Sequence, residues 1–264
     1  MMRGASADAY AAASGSLPGS GDLGAVGRDL FGVADLLRAE PALRRVATDA
    51  SVPGEAKAEL LRGVLADKVS TEALDVVATA VSQRWTSSRD LGDALEQLGV
   101  VASVRSTGGE ASRLEDELFA VGQLVQSNPE LRDALSDPAR TRADQSGLVD
   151  GLLGGKALPA TVALVQQSLS GSHRTVGVAL AAYQKVAAEV RGQGVATVRV
   201  ARPLADTDRE RLAGVLARTY GRDVHLNVIV DPDVIGGIRV EIGDDVIDGT
   251  VSGRLDEAGR KLAG

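Results

Sequence analysis

Cysteine is absent from this 264-residue sequence, and histidine and aromatic residues are scarce. Without cysteine, the chain can form no disulfide and no thiolate metal site, and it has no cysteine nucleophile. The two histidines, His173 and His225, lie far apart in the sequence, so we expect no histidine-rich metal cluster. Because only 2% of the residues are aromatic, the core must consist mainly of Leu, Val and Ala. Leu and Ala favour helices, which predicts a helix-rich fold.

A positive charge excess and long apolar runs are also missing. The formal net charge is −7 and the pI is about 5.0, which argues against a nucleic-acid partner and against a polybasic attachment to anionic lipid. The N-terminal residues have no apolar segment of signal-peptide length. No uncharged apolar run reaches the ~18 residues of a membrane span, so we expect no direct insertion into a membrane.

The first part of the chain has the periodicity of a helical bundle. Six apolar helical segments can be recognised between the N-terminus and about residue 105. In Ser70–Trp85, the apolar residues Leu74, Val77, Val81 and Trp85 recur at three- and four-residue steps, as one helix face requires. We therefore predict a first helical bundle at residues 1–105.

The sequence then repeats itself without a gap. Pro41-Ala42-Leu43-Arg44 resembles Pro129-Glu130-Leu131-Arg132, at an offset of 88 residues (129 − 41 = 88). Such self-similarity indicates a repeated structural unit, and we predict a second helical block at residues 106–191. The same offset relates Tyr10 to Leu98. The last helix of the first block is therefore expected to serve as the first helix of the second, as in stacked repeats.

The composition changes at Gly192 and Gly194, and residues 192–264 have the pattern of a small α+β domain. The predicted order is a strand at Val195–Arg202, a helix at Asp206–Tyr220, a strand at Val224–Val230, a hairpin of Ile238–Ile242 and Val246-Ile247 around the turn Gly243-Asp244-Asp245, and a helix beyond Ser252. Thr207 and Glu210 are expected to form a capping box. The fold class is mainly α, a duplicated helical bundle followed by a small α+β C-terminal domain.

Two glycine-rich motifs could suggest nucleotide chemistry, but each lacks a required feature. Gly19-Ser20-Gly21-Asp22-Leu23-Gly24 matches a dinucleotide fingerprint in its letters, yet a helical segment stands where a strand is needed. We expect a linker there. Gly154-Gly155-Lys156 lacks the first glycine and the Mg²⁺-binding Ser or Thr of a phosphate loop.

The acidic and histidine residues also indicate no chemistry. Asp244, Asp245 and Asp248 lack the alternating spacing of a calcium loop, and we expect them to form turns. Ser172 and His173 are neighbours in the sequence and form no nucleophile–base pair. No catalytic residue, cofactor site or metal site is predicted, and the pattern alone favours an interaction or structural protein.

Several ordered motifs carry a resemblance to a known family. They are Asp231-Pro232, Ile235-Gly236-Gly237, Val246-Ile247-Asp248-Gly249-Thr250-Val251 and Gly253-Arg254-Leu255, together with Asn128-Pro129-Glu130-Leu131 earlier in the chain. They closely resemble the delta subunit of F-type ATP synthases, the bacterial relative of the oligomycin-sensitivity-conferring protein. Members of that family usually have one helical bundle, so the resemblance implies a long form with a duplicated helical block.

The resemblance implies a stator subunit with no catalysis of its own. In that family the N-terminal bundle binds the N-terminal helix of an alpha subunit on the catalytic head, and the C-terminal domain binds the b subunit of the peripheral stalk. The chain would link the two and resist rotation during proton-driven ATP synthesis. It would lie peripherally at the cytoplasmic face of the bacterial plasma membrane, within the complex.

The resemblance also implies a groove in the first block that receives an amphipathic helix. The predicted partner-binding residues are Tyr10 and Ala13 on the first helix, and Val77, Val81 and Trp85 on the fifth. Because core and groove share one apolar stripe, all five fit ordinary bundle core equally well. We expect the first block to bind the head and the second to act as a spacer.

Two other functions are compatible with the sequence. One is a free-standing helical-repeat adaptor with a delta-like C-terminal domain. The other, a distant third, is a nucleotide-binding enzyme that uses Gly19–Gly24. Purification with bound partners or nucleotide would separate these alternatives.

Overall fold

Helices dominate the part of the chain that a computed structural model describes, residues 2–137, 139–170 and 172–251. These described residues contain twelve α-helices and a sheet of four strands, which confirms the mainly α fold with a small α+β C-terminal domain. The chain divides into two units, Met1–Val186 and Ala187–Gly264. In the described ranges no helix has both the length and the apolar character that crossing a bilayer requires. The helix predicted beyond Ser252 lies outside the described residues.

The helices of the first unit form two consecutive sets that follow the sequence repeat. The first set is α1 (Ala5–Gly15), α2 (Leu23–Ala39), α3 (Pro41–Thr48), α4 (Gly54–Leu65), α5 (Thr71–Ser82) and α6 (Asp90–Ser106). The second set is α7 (Ala111–Ser127), α8 (Pro129–Ser136), α9 (Arg142–Leu153), α10 (Pro159–Ser168) and α11 (Val176–Val190), of which α11 extends past the end of the unit. The first and last residues of α7, α8 and α9 lie 88 positions after those of α2, α3 and α4, respectively (for α2 and α7, 111 − 23 = 88). The repeat therefore persists in the helix boundaries, while the division at residues 105 and 191 stays a prediction.

Helix α6 belongs to both sets. It contacts α1, α2 and α5 of the first set, and α7 and α10 of the second. Most of its residues between Leu91 and Val104 are buried, because its apolar positions surround the helix instead of forming one stripe. Helix α6 contacts α10 just as α1 contacts α5. The shared helix thus has the double role that the sequence offset predicts.

Glycines allow α2 and α6 to cross at very short range. A Cβ atom built on Gly99 would lie 2.5 and 2.7 Å from ring carbons of Phe31 and 3.0 Å from the carbonyl oxygen of Gly27. A Cβ atom on Gly27 would lie 2.6 Å from Oγ of Ser103 and 3.0 Å from the carbonyl oxygen of Gly99. Side chains at these positions would force the two helices apart, since close-packed interiors have little space to absorb added atoms.

Acidic residues on α2 and on its repeat equivalent α7 bind the N-termini of α5 and α10, respectively. Oδ2 of Asp29 accepts hydrogen bonds from the amide and the hydroxyl of Ser70, at 2.7 and 2.6 Å. At the same offset in the repeat, Oε2 of Glu117 accepts from the amide of Leu158 at 2.9 Å and from the hydroxyl of Thr161 at 2.5 Å. A carboxylate in this position satisfies orphan helix amides and interacts favourably with the helix dipole.

We expect Glu117→Gln to lower the free energy of unfolding by about 1–2 kcal/mol, because it removes charge-assisted hydrogen bonds. Burial raises the pKa of Glu117, but the bonds from Thr161, the Leu158 amide and Arg113 outweigh it, and this pKa lies below its ordinary value. The stabilisation is therefore complete above the ordinary Glu pKa of about 4.3, and it is lost as the pH falls through the lowered folded-state pKa.

Urea unfolding of the native chain and Glu117→Gln at several pH values checks this prediction. The difference in unfolding free energy should be full at neutral pH and should shrink steadily in acid, below about pH 4. A difference that stays constant across this range would show that the charge of Glu117 contributes nothing.

The second unit pairs its strands into a mixed sheet. Its elements are β1 (Gly194–Val200), α12 (Asp206–Tyr220), β2 (Val224–Val230), β3 (Ile238–Ile242) and β4 (Asp245–Asp248). The strand order is β2-β1-β3-β4, with β1 parallel to β2 and antiparallel to β3, and β3 antiparallel to β4. Helix α12 contacts β2. The buried core consists of Ala196, Val198, Val200, Leu216, Val224, Leu226, Val240 and Ile242.

The two sequence predictions for turns and caps in this unit have different outcomes. The hairpin turn is confirmed, because Gly243, with a φ of 60°, and Asp244 join β3 to β4. The prediction of a capping box formed by Thr207 and Glu210 is wrong. Helix α12 begins at Asp206, and its N-cap residue makes no side-chain capping bond, so Thr207 already lies within the first turn. A capping box is found instead at the start of α9.

Candidate functional site

Helices α1 and α5, which carry four of the five predicted partner-binding residues, contact each other. Ala13, Val77 and Val81 are each 0% exposed. They therefore fit the bundle-core alternative, because no partner can reach them while the helices stay packed. Tyr10 and Trp85 are partly exposed, and partner binding by these two residues stays a prediction.

Trp85 lies beyond the fifth helix, and its prediction as a helical residue is wrong. Helix α5 ends at Ser82, and its C-cap Gln83 is extended, with φ and ψ of −80° and 172°. The Trp85 indole donates from Nε1 to the carbonyl oxygen of Ala80 at 2.8 Å. The ring thus folds back and satisfies a carbonyl group in the last turn of α5.

Hydrogen bonds join the start of α1 to the chain that follows α5. The buried Ser6 hydroxyl donates to Oδ2 of Asp90 at 2.5 Å and accepts from the amide of Thr86 at 2.8 Å. The amide of Ser87 donates to the same Asp90 oxygen at 3.2 Å. Helix α1 is therefore fixed on α5 and α6 by side-chain bonds as well as by apolar packing.

The first glycine-rich motif has the linker structure that the sequence predicts, and the second lies in a turn. Gly19–Gly24 follows a helix, α1, and Asp22 within it is the N-cap of α2. Gly154 is the C-cap of α9, and Gly155 has a φ of 70°. Neither motif connects a strand to a helix, which is the arrangement that a phosphate site would need.

Of the three acids expected in turns, only Asp244 lies in the hairpin turn, and Asp245 and Asp248 are instead the first and last residues of strand β4. Oδ1 of Asp248 accepts from the hydroxyl and the amide of Thr250, at 2.6 and 2.9 Å, and these bonds lower the pKa of Asp248. Asp245 accepts from the hydroxyl of Tyr220 at 3.1 Å. Across residues 2–137, 139–170 and 172–251, no three His, Cys, Asp or Glu residues are grouped as a metal site requires.

A buried carboxylate, that of Glu96 on α6, is the centre of a polar network. Its side chain is only 6% exposed. Oε2 accepts a hydrogen bond from Arg38 of α2 at 2.5 Å. Oε1 accepts from the hydroxyl of Ser172 at 2.7 Å and from the hydroxyl of Tyr183 on α11. A single carboxylate thereby connects elements of both helical sets.

Charge and burial together shift the pKa values of two groups in this network, Arg38 and Tyr183. Burial works against the charged form of Arg38, but Glu96 and Asp93 raise its pKa above the ordinary value. Burial and the negative charge of Glu96 raise the pKa of Tyr183 well above its usual range. The ring of His173 lies 5.8 Å from that of Tyr183 in an edge-on arrangement. Sequence reasoning missed the network, although an acid inside the apolar run of α6 could have indicated it.

The second unit exposes apolar side chains around strand β4, which is the edge of the described sheet. Ile235, Val246 and Ile247 are 70%, 54% and 47% exposed, and we call these three residues the edge surface. Val246 pairs with Glu241 and Ile247 with Val240, so the two side chains lie on opposite faces of the sheet. An exposed sheet edge with apolar side chains is typical of interaction sites.

Comparison with known proteins gives consistent matches along the chain. The family model for the ATP synthase delta (OSCP) subunit matches residues 100–262. ATP synthase subunit delta of Nocardioides sp. strain JS614 is 54% identical over 268 residues, which cover 100% of this chain and 98% of that protein. The same subunit of Streptomyces coelicolor is 45% identical over 270 residues (99% and 98%), and that of Streptomyces griseus is 42% identical over 271 residues (100% and 100%).

The family model and the bacterial relatives differ in whether they align with the first helical set. The family model begins within α6 and leaves α1 to α5 outside. The bacterial relatives align with the whole chain and have nearly its length. The doubled helical arrangement is therefore shared with these relatives.

Proposed function

This chain belongs to the ATP synthase delta (OSCP) subunit family, and from that membership we propose that it is a non-catalytic component of the peripheral stalk of an F-type ATP synthase. The observation that carries the proposal is the alignment of the entire chain with ATP synthase subunit delta of other bacteria.

The first unit is proposed to hold the catalytic head by binding the N-terminal helix of an alpha subunit. A helical body with a fully packed central helix is suited to this task, because it resists bending under lateral force. The second helical set would act as a spacer between the head and the second unit. Tyr10 and Trp85, both partly exposed, remain proposed contact residues for the head.

The second unit is proposed to bind the b subunit of the stalk through the edge surface of Ile235, Val246 and Ile247. Exposed apolar side chains release water on association and stabilise an interface. The chain would then lie peripherally at the cytoplasmic face of the bacterial membrane. No nucleic acid and no direct membrane insertion are part of this proposal.

Affinity purification of the tagged chain from host membranes tests the assignment. Recovery of alpha and b subunits supports the stator function. Recovery of unrelated partners, without ATP synthase subunits, would favour a free-standing adaptor instead. Nucleotide retained by the isolated chain would favour a nucleotide-binding enzyme that uses Gly19–Gly24.

We expect Val246→Asp to weaken binding of the b subunit by roughly tenfold or more, because a buried Val contributes about 1.5 kcal/mol or more to an interface. The control is Val215→Asp on α12, since Val215 is 44% exposed and Val246 is 54% exposed. Titration of the purified chain with the soluble part of b measures both variants. Equal binding by the two variants would place the stalk contact elsewhere.

A further inference from the structure

The ion pair between Glu96 and Arg38 occurs in only one copy of the helical repeat. The offset of 88 residues places Gln126 at the position of Arg38 and Gln184 at that of Glu96 (126 − 38 = 88 and 184 − 96 = 88). Gln184 donates instead to the carbonyl oxygen of Glu115 at 3.1 Å. Because the second set forms its helices with neutral residues at both positions, the repeated helical design does not require the ion pair.

The location of Glu96 on the shared helix α6 distinguishes the charged copy from the neutral one. Oε2 of Glu96 faces the first set, where it pairs with Arg38 of α2 at 2.5 Å. Oε1 faces the second set and accepts from Ser172, just before α11, at 2.7 Å and from Tyr183 on α11. Since one carboxylate binds donors from both sets, α11 cannot turn about α6 without breaking the bonds to Oε1.

A second ion pair joins the two sets outside α6. Nη2 of Arg142, at the start of α9, lies 3.4 Å from Oδ2 of Asp35 on α2 and donates to the carbonyl oxygen of Gln166 at 3.3 Å. Asp35 in turn lies 3.4 Å from Arg38. Alternating charges thus run from the buried Glu96 outward to Arg142. The outer pair is largely exposed and contributes little, so the main constraint lies at Glu96.

The covalent connection between the sets leaves their relative angle open. The short 3₁₀ turn Gly108–Glu110 joins α6 to α7. Gly108 has a φ of 53°. A Cβ atom added to Gly108 or Gly109 would have no neighbour within 4 Å in the described part of the chain. Such a turn can absorb changes in φ and ψ, as hinge residues do. The angle must therefore be fixed by noncovalent contacts.

We propose that Glu96, Arg38, Ser172 and Tyr183 form an orientation lock, which holds α7 to α11 at one angle to the first set. Apolar packing of α6 against α7 and α10 supplies attraction without direction, whereas the hydrogen bonds to Glu96 have a preferred geometry. Their burial also protects them from screening by salt. Without the bonds to Oε1, both sets stay folded but pivot about α6. The inference goes beyond the stator function and does not depend on it.

Distances between spin labels on the full chain test the orientation lock. Because the chain has no cysteine, Glu59→Cys on α4 and Ala120→Cys on α7, both at exposed positions, place one label on each set. The test variant Ser172→Ala with Tyr183→Phe removes the two donors of the second set and keeps the ion pair of the first. Double electron–electron resonance should give one narrow distance without these two changes, and a distribution at least about twofold broader with them.

The matched control is Ser168→Ala with Tyr220→Phe. It removes the same two hydroxyl groups at places where they bond to other acceptors, and it should leave the distance between the sets narrow. A second label pair, Glu59→Cys with Glu72→Cys, lies on exposed positions within the first set. The distance of this pair should stay the same in every variant, which shows that the first set remains folded.

Two results would overturn the orientation lock. One is an inter-set distance that stays narrow in the folded test variant, because the network would then only stabilise the core. The other is equal broadening in the test variant and the matched control. If the double change prevents folding, Ser172→Ala and Tyr183→Phe are measured singly. Each should broaden the inter-set distance, and unchanged widths in both would also overturn the lock while leaving the stator function intact.

Discussion

Replacing Glu96 with alanine is expected to lower the free energy of unfolding of the first unit by about 2–4 kcal/mol. The substitution removes the acceptor for Arg38, Ser172 and Tyr183 at once. Tyr183 is 3% exposed, so its hydroxyl would be left without this acceptor in an environment that water reaches poorly. An unpaired buried polar group costs more than the hydrogen bond itself contributes.

Asp93→Ala is the matched control for Glu96→Ala. Both acids lie on α6 and both pair with Arg38, but the Asp93 side chain is 57% exposed and that of Glu96 is 6% exposed. Exposed pairs contribute only about 0–1 kcal/mol. Trp85 is the only tryptophan, and its emission during urea unfolding reports on this unit. Equal losses in the two variants would contradict the central position of Glu96 in the network.

Gly99→Leu should destabilise the same unit by about 3 kcal/mol, or prevent its folding, because it overfills the crossing of α2 and α6. The first added carbon already meets the Phe31 ring at 2.5 Å and the Gly27 carbonyl oxygen at 3.0 Å. The ring can turn only against other core atoms, and the carbonyl belongs to helix backbone. Relief therefore requires the two helices to separate.

Comparing the stability of Gly99→Ala and Gly63→Ala separates the contribution of packing from that of helix propensity. Alanine favours a helix over glycine by about 1 kcal/mol at either position. A Cβ atom on Gly63 of α4 has no neighbour within 4 Å, so Gly63→Ala should raise stability. Gly99→Ala should lower it, and Phe31→Leu in the same chain should restore part of the loss. A stabilising Gly99→Ala would contradict the close crossing.

Local patterns made most helices of this fold predictable. Pro41 and Pro129 begin short helices in both sets, and the constant offset between them also fixes the neighbouring helix boundaries. The turn at Gly243 follows from its position between two alternating apolar runs, since glycine accepts the positive φ of 60° that the turn needs. These features depend on residues close together in the sequence.

Features that depend on tertiary contacts were not predictable. From the sequence, Val81 and Ala13 fit a bundle core and a partner-binding groove equally well. Only the packing of α1 on α5 determines which side of each apolar helix stripe is covered. Trp85 continues the helical periodicity but bonds back to Ala80 beyond the end of α5. Glu96 has partners 58, 76 and 87 residues away in the sequence, which no local pattern can identify.

The most direct test of the stator assignment is proton-driven ATP synthesis by membrane vesicles stripped of this subunit. The proposal predicts that stripped vesicles lose synthesis, that the detached heads still hydrolyse ATP, and that adding back the purified chain restores synthesis. Synthesis that continues undiminished in vesicles shown to lack the chain would contradict the account.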